Sequence, residues 1–391
     1  MDFAYTGEQE LLRDSLGRFL RDHYDFNAFR RASAEEPGRR PELWKNFAKM
    51  GLLGAALPEA YGGLGGSAVE TMIVTEAFGR ALAIEPFIPS VVAGGGFLRL
   101  GGSEAQKQYW LPRIAAGDAL FAFGFAEPQG SYDLADIRTR ASRRSGAFLL
   151  NGRKAMVLGA PVADQLVVTA RTAGDRRDVH GISVFLVDPM AKGVSLQSYR
   201  TQDGMAAAEI SFDDVDIAAD RLVGEADGGL PLVERVCDEC VAAYCADALG
   251  AMRVLHESTL EYAKTRRQFG VPIGSFQALQ HRMVDMFMRV EQSASMVLMA
   301  TLKLASPAPE RKKAVSAAKA YLGEASRFVG QNAIQIHGGM GMTDELALGH
   351  YFKRVTMFDT LFGNVDHHLN RYAALVELQE NHSHGDAETQ R

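Results

Sequence analysis

The periodicity of the chain changes twice, and that change limits its fold more than any other feature. Between residues 121 and 224 short β-rich runs follow one another, among them 166–170, 182–187 and 210–212, with glycine, proline and aspartate between them. Such spacing predicts a compact antiparallel sandwich or barrel rather than a parallel sheet with crossover helices. On either side the pattern is helical. Before residue 121, Thr6 with Gln9, Ser67 with Glu70 and Ser103 with Gln106 each fit a capping box. Residues 41–50 form an amphipathic segment closed by Gly51. After Gly229, residues Val233, Cys237, Cys240, Tyr244, Ala248, Met252 and Leu255 recur on one broad helical face. The fold class expected is therefore α+β and multidomain. It comprises an N-terminal helical domain (1–120), a middle β domain (121–228), a C-terminal four-helix bundle (229–379) and a polar, disordered tail (380–391).

At 391 residues the chain exceeds one compact core. Its net charge of -6 leaves no basic excess for nucleic acid or an anionic membrane, and no apolar run reaches the roughly 18 residues of a membrane span. The opening Met1-Asp2-Phe3-Ala4-Tyr5-Thr6 lacks the features of a secretory signal, so a cytoplasmic protein is expected. The basic pairs Arg143-Arg144 and Arg176-Arg177, and the run Arg311-Lys312-Lys313, read as solvated surface. Cys237, Cys240 and Cys245 fall within one helix, where two thiols do not complete a metal site; they read as small core residues, and no metal is expected. The glycine-rich segment 61–66 has no strand before it and no Lys-Ser/Thr after it, so it reads as a turn rather than a phosphate loop.

Four local patterns then occur in order: Phe125-Ala126-Glu127-Pro128, Asn151-Gly152-Arg153-Lys154, Thr265-Arg266-Arg267-Gln268-Phe269-Gly270, and Gln335-Ile336-His337-Gly338-Gly339-Met340-Gly341. With the helix, β, helix order they make the chain resemble the acyl-CoA dehydrogenase family, in particular the small or partner subunit of its heteromeric members. The resemblance implies FAD as cofactor, an acyl-CoA thioester as substrate and an electron-transfer flavoprotein as electron acceptor. It also implies assembly as a homotetramer or as a heterotetramer with a homologous subunit. Arg266, Gln268 and Phe269, with Gln335, Gly338 and Gly339, would reach across an interface to the ADP part of FAD seated in a neighbour. Arg266 suits pyrophosphate because its guanidinium donates two parallel bonds. Asn364 and Asp366 would add to the cofactor site.

The chain departs from that family where the chemistry would happen. The residue aligned with the usual catalytic glutamate is Phe362, and a phenyl ring accepts no proton. The alternative base position on the first bundle helix is Cys240. Glu239, one residue away and turned by about 100°, is the remaining candidate base; Asp238 and Asp366 are weaker ones. In the chain's own flavin pocket Ala126 stands in place of a hydroxyl, Tyr132 in place of a small serine, and Met156, Val157 and Leu158 in place of Trp-Ile-Thr, while Phe125 lies at the head of the same loop. Donors that serve a neighbour are kept and those that serve the chain's own flavin are lost. FAD-dependent α,β-dehydrogenation of an acyl-CoA within a heteromeric complex is the function expected. A non-catalytic partner subunit, or a flavin oxidase or monooxygenase of the same fold, is the alternative.

Overall fold

The computed structural model describes residues 4–34 and 40–388, with side chains up to 377. They fall into two compact units, one of 1–74 with 83–240 and the other of 75–82 with 241–391.

The first unit opens with helices α1 (Gly7–His23), α2 (Phe26–Ala34), α3 (Pro41–Lys49) and α4 (Ala68–Ala81), the last running on into the second unit. A buried π-helical stretch, Ile88–Gly94, leads into α5 (Gly95–Gly101) and α6 (Glu104–Ala115). The capping boxes at Thr6 and Ser103 are both complete. At Ser67 only half of the box forms, because Glu70 reaches back to the Ser67 amide at 2.6 Å while the Ser67 hydroxyl accepts from Val69 instead. The segment 61–66 is a turn, as its composition suggests.

The strands are β1 (Phe121–Gly124), β2 (Arg140–Arg144), β3 (Ala147–Leu158), β4 (Gln165–Arg171), β5 (Ile182–Val187), β6 (Val194–Arg200), β7 (Ala206–Ala218) and β8 (Leu222–Val223). They form one sheet in the order β6-β7-β3-β2-β4-β5-β8, with β1 added beside β4. Most pairs are antiparallel, as expected from the short connections. β1 and β4 pair in parallel instead, Phe121 opposite Gln165. The β2–β3 hairpin intervenes between them, so the chain returns to β1 in the same direction without a crossover helix. Ala122, Leu150, Leu166, Val168, Phe185 and Ile210 are buried against one another in the β core.

The long helix α7 (Leu230–Thr265) begins in the first unit and continues into the second. All seven residues of its expected apolar face are buried, the cysteines among them as free thiols. The second unit then carries a small hairpin, β9 (Arg267–Gln268) with β10 (Val271–Pro272), and helices α8 (Gln277–Lys303), α9 (Ala308–His337), α10 (Ala347–Thr360) and α11 (Val365–Glu388). α9 packs against α8, α10 and α11. α11 continues through the polar sequence beyond residue 380 as far as Glu388, where disorder was expected; residues 389–391 lie outside the described residues. Arg311, expected on a solvated surface, is buried in the first turn of α9. No helix among the described residues is long and apolar enough to cross a membrane.

Candidate functional site

In the first unit the loop after β1 is organised by one buried ion pair. Glu127 receives the Lys154 ammonium at 2.7 Å, the amides of Arg138 (2.7 Å) and Thr139 (3.1 Å), and the Gln129 side chain at 2.7 Å. Lys154 is fully buried and also donates to Thr169 Oγ1 at 3.1 Å and the Phe125 carbonyl at 3.3 Å. Burial pushes the Glu127 carboxyl up, but Lys154 and the donated hydrogen bonds outweigh it and the net shift is downward. Burial pulls Lys154 down against the attraction of Glu127. The pair thus fixes the backbone between Phe125 and Thr139.

The strand facing that loop is bent by an irregularity in β3 between Lys154 and Val157, with Met156 in the left-handed region at φ 49. The Met156 amide donates to Glu209 Oε1 at 3.1 Å and the Tyr199 hydroxyl donates to the same oxygen at 2.9 Å. The Ala155 amide donates to the Ala126 carbonyl at 2.8 Å. Neither Glu209 nor Tyr199 is visible as a site residue in the sequence, since nothing local marks a carboxylate that serves a bulge on a neighbouring strand. The side chains of Phe125, Ala126, Met156 and Leu158 are apolar, and Tyr132 adds a single phenol. Phe125 stacks on Phe123 with centroids 5.0 Å apart, and Leu158 is buried. The loop is held in place by the Glu127–Lys154 pair, but its side chains offer a flavin ring with its polar edge little beyond the Tyr132 phenol, so this donor set does not fit the ring.

Glu239 lies 2.7 Å from Arg99 through Oε2 and 3.0 Å from Arg235 through Oε1, with its side chain 11% exposed. Both oxygens are engaged in charge-assisted bonds, so Glu239 ties α5 to α7. Cys240 is fully buried and desolvation raises its thiol well above the usual range, so it carries no thiolate. Asp238 is buried, and Asp366 is exposed in the first turn of α11. In the second unit Phe362 adopts φ 56 with its ring 5.7 Å from that of Tyr244. Asn364 uses its side chain to cap α11, accepting the His367 amide at 3.0 Å.

A different picture holds for the donors expected to serve a neighbour. Arg266 follows the last residue of α7, and Phe269-Gly270 forms the two-residue tip of the β9–β10 hairpin, with φ 53 and 82. A phenylalanine pays for left-handed backbone without the excuse glycine has. Its ring is 92% exposed. Gln335, Gly338 and Gly339 lie exposed at the other end of α9, with Gly338 at φ 60 and open space around both glycines. Tyr262, in the last turn of α7, stacks on His337 at 4.2 Å and so brings the two segments together. Burial lowers the His337 pKa, against a hydrogen bond to the Ala333 carbonyl that raises it. Arg266, Gln268 and Gln335 make no side-chain hydrogen bond or ion pair to the described residues. These donors, chemically suited to phosphate and sugar oxygens, fit the ADP portion of FAD.

The chain matches the acyl-CoA dehydrogenase N-terminal domain over residues 6–118, the middle domain over 122–215 and the C-terminal domain over 227–376. A probable acyl-CoA dehydrogenase of Bacillus subtilis, YngJ, is 31% identical over 351 residues, covering 88% of this chain and 91% of the relative. The caffeyl-CoA reductase-Etf complex subunit CarC of Acetobacterium woodii is 30% identical, covering 83% and 86%. Among solved structures, the ChsE4-ChsE5 complex from Mycobacterium tuberculosis superimposes with a TM-score of 0.87 at 26% identity, covering 96% of this chain and 99% of that one. The motifs, the domain order and the fold agree with these matches, and the chain belongs to the acyl-CoA dehydrogenase family of FAD-dependent oxidoreductases.

Proposed function

We propose that this chain is the partner subunit of a heteromeric acyl-CoA dehydrogenase, which removes hydrogen across the α,β bond of an acyl-CoA thioester and passes electrons to an electron-transfer flavoprotein. The observation that carries the reading is the exposed hairpin tip: Phe269 turned outward, with Arg266, Gln268 and Gln335 making no side-chain hydrogen bond or ion pair among the described residues. A solvent-facing phenylalanine in strained backbone is explained by a second chain that covers it. α8 supports the same view. Its buried Met283, Met286 and Val290 are matched by an outer face bearing Val284, Phe287 and Met288, each about half exposed. ChsE4-ChsE5 is a two-component complex of this fold, and CarC belongs to a complex with an Etf.

On this reading Arg266, Gln268 and Gln335 would hold the ADP part of a flavin seated in the homologous chain. When bound there, FAD supplies hydride acceptance. The residues of this chain bind and orient the cofactor rather than move a proton. Arg266→Ala is expected to weaken FAD binding by the co-purified complex about tenfold, the value of one charge-assisted bidentate contact, with unchanged circular dichroism. Flavin titration of the variant complex measures it. Unaltered affinity would show that Arg266 does not touch the cofactor.

A further inference from the structure

The turn from α10 to α11 places Phe362 at φ 56 and Gly363 at φ 115. A β-carbon at Gly363 would come within 2.5 Å of His367 and 2.7 Å of His368, so only glycine fits between the turn and the helix that follows. Nothing in a phenylalanine side chain favours the left-handed conformation before it. The backbone is held from outside. On one side Lys319 of α9, fully buried, donates to the carbonyls of Phe358 (2.7 Å) and Asp359 (3.2 Å), in the last turn of α10, and lies 4.0 Å above the Phe358 ring. A cation there meets the negative end of the helix dipole. On the other side His368 Nε2 lies 3.1 Å from the Phe362 carbonyl oxygen and Nδ1 lies 3.3 Å from Ser316 Oγ, which is 3.2 Å from Arg371 Nη1.

We infer that Arg371, Ser316 and His368 form a one-way hydrogen-bond chain that ends on the Phe362 carbonyl and acts as the positioning group for residue 362. The direction follows from the chemistry of the ends. A guanidinium only donates and a carbonyl only accepts. Arg371 therefore donates to Ser316 and Nε2–H donates to Phe362, and in the neutral ring Nδ1 is left as the acceptor of the Ser316 hydroxyl hydrogen. His368 is neutral in the Nε2–H tautomer. A second proton on Nδ1 would reverse the middle link, with Ser316 Oγ accepting from both Nδ1 and Arg371, and the chain would no longer run one way. Burial first, then Lys319 from α9 and His367 beside it, with Arg371 further along α11, push His368 down to about 2. Cys245 of α7 and Asp359 of α10 face Lys319 rather than the imidazole, and Asp359 is committed to Arg327 and to the Val365 amide.

Because the chain ends on main chain, it presents whatever side chain stands at 362. That position is where the family carries its base, a consequence that rests on the proposed function. The device itself does not.

The test is nitrogen-15 NMR of the histidine-labelled full chain, with the His368 signal assigned from His368→Gln. A neutral Nε2–H imidazole is expected throughout about pH 5 to 8, the range in which ordinary histidines titrate. Ser316→Ala is expected to alter its tautomer signature and to raise amide exchange in the 358–368 peptide about tenfold, while Phe362→Leu leaves that exchange unchanged. An imidazole that titrates like an exposed histidine, an Nδ1–H tautomer, or exchange that responds equally to Phe362→Leu would overturn the inference. No flavin or second chain is required, so either result leaves the proposed function standing.

Discussion

Replacing Lys154 with methionine is expected to destabilise the β domain by about 3–5 kcal/mol, the cost of leaving a buried carboxylate without its ion partner. Glu127 would retain the Arg138 and Thr139 amides and the Gln129 side chain but lose the one cation bonded to it among the described residues. The loss is expected to be largest near neutral pH. The folded Glu127 carboxyl is held below its ordinary value, so the stability that it contributes is present above the unfolded pKa and disappears as pH falls through the folded one. Chemical denaturation of the wild type and Lys154→Met, at neutral and acid pH, measures both effects. Equal stability of the two proteins at neutral pH would mean that the backbone amides alone hold the loop.

The chain purified alone is expected to oxidise straight-chain acyl-CoAs at most at a rate lower by roughly two to four orders of magnitude than a family member with a base, the usual contribution of general-base catalysis. On the resemblance to the family, the two positions expected to carry the base read as Phe362 and Cys240, and Glu239 is engaged by Arg99 and Arg235. Glu239→Gln is expected to change that residual rate little, while loosening the tie between α5 and α7. A dye-linked assay on a series of chain lengths provides the measurement. Brisk turnover that vanishes in Glu239→Gln would make Glu239 the base despite its two arginines.

What could be read from the sequence was what repeats locally. Capping residues marked the starts of α1 and α6, and each of the seven positions that the helical period of α7 singles out between Val233 and Leu255 is buried, although the residues between them, from Val241 to Met252, are buried too. The turn at 61–66 and the β-rich block were visible for the same reason. Contacts made across long sequence separations were not. The parallel pairing of β1 with β4 depends on the path of the β2–β3 hairpin, and Glu209 reaches Met156 only because β7 lies beside β3. Arg311 read as one of a basic run, yet its helix buries it while Lys312 and Lys313 remain half-buried. Glu239 stands out in the sequence only for its place next to Cys240, while its chemistry is decided by Arg99, remote in sequence. The Phe362 substitution was visible in the sequence; the histidine that holds its carbonyl was not, because a hydrogen bond to main chain leaves no motif.

The central claim is that this chain contributes to a flavin site without completing one of its own. It is tested most directly by the flavin content of the complex formed when the chain is co-expressed with a homologue that carries the flavin-binding hydroxyls and a base glutamate. Absorbance gives FAD, and light scattering gives the mass of the assembly. The expected result is an assembly of both chains with one FAD for each pair, and a colourless protein when this chain is made alone. A homo-oligomer of this chain with one FAD in every copy would contradict it.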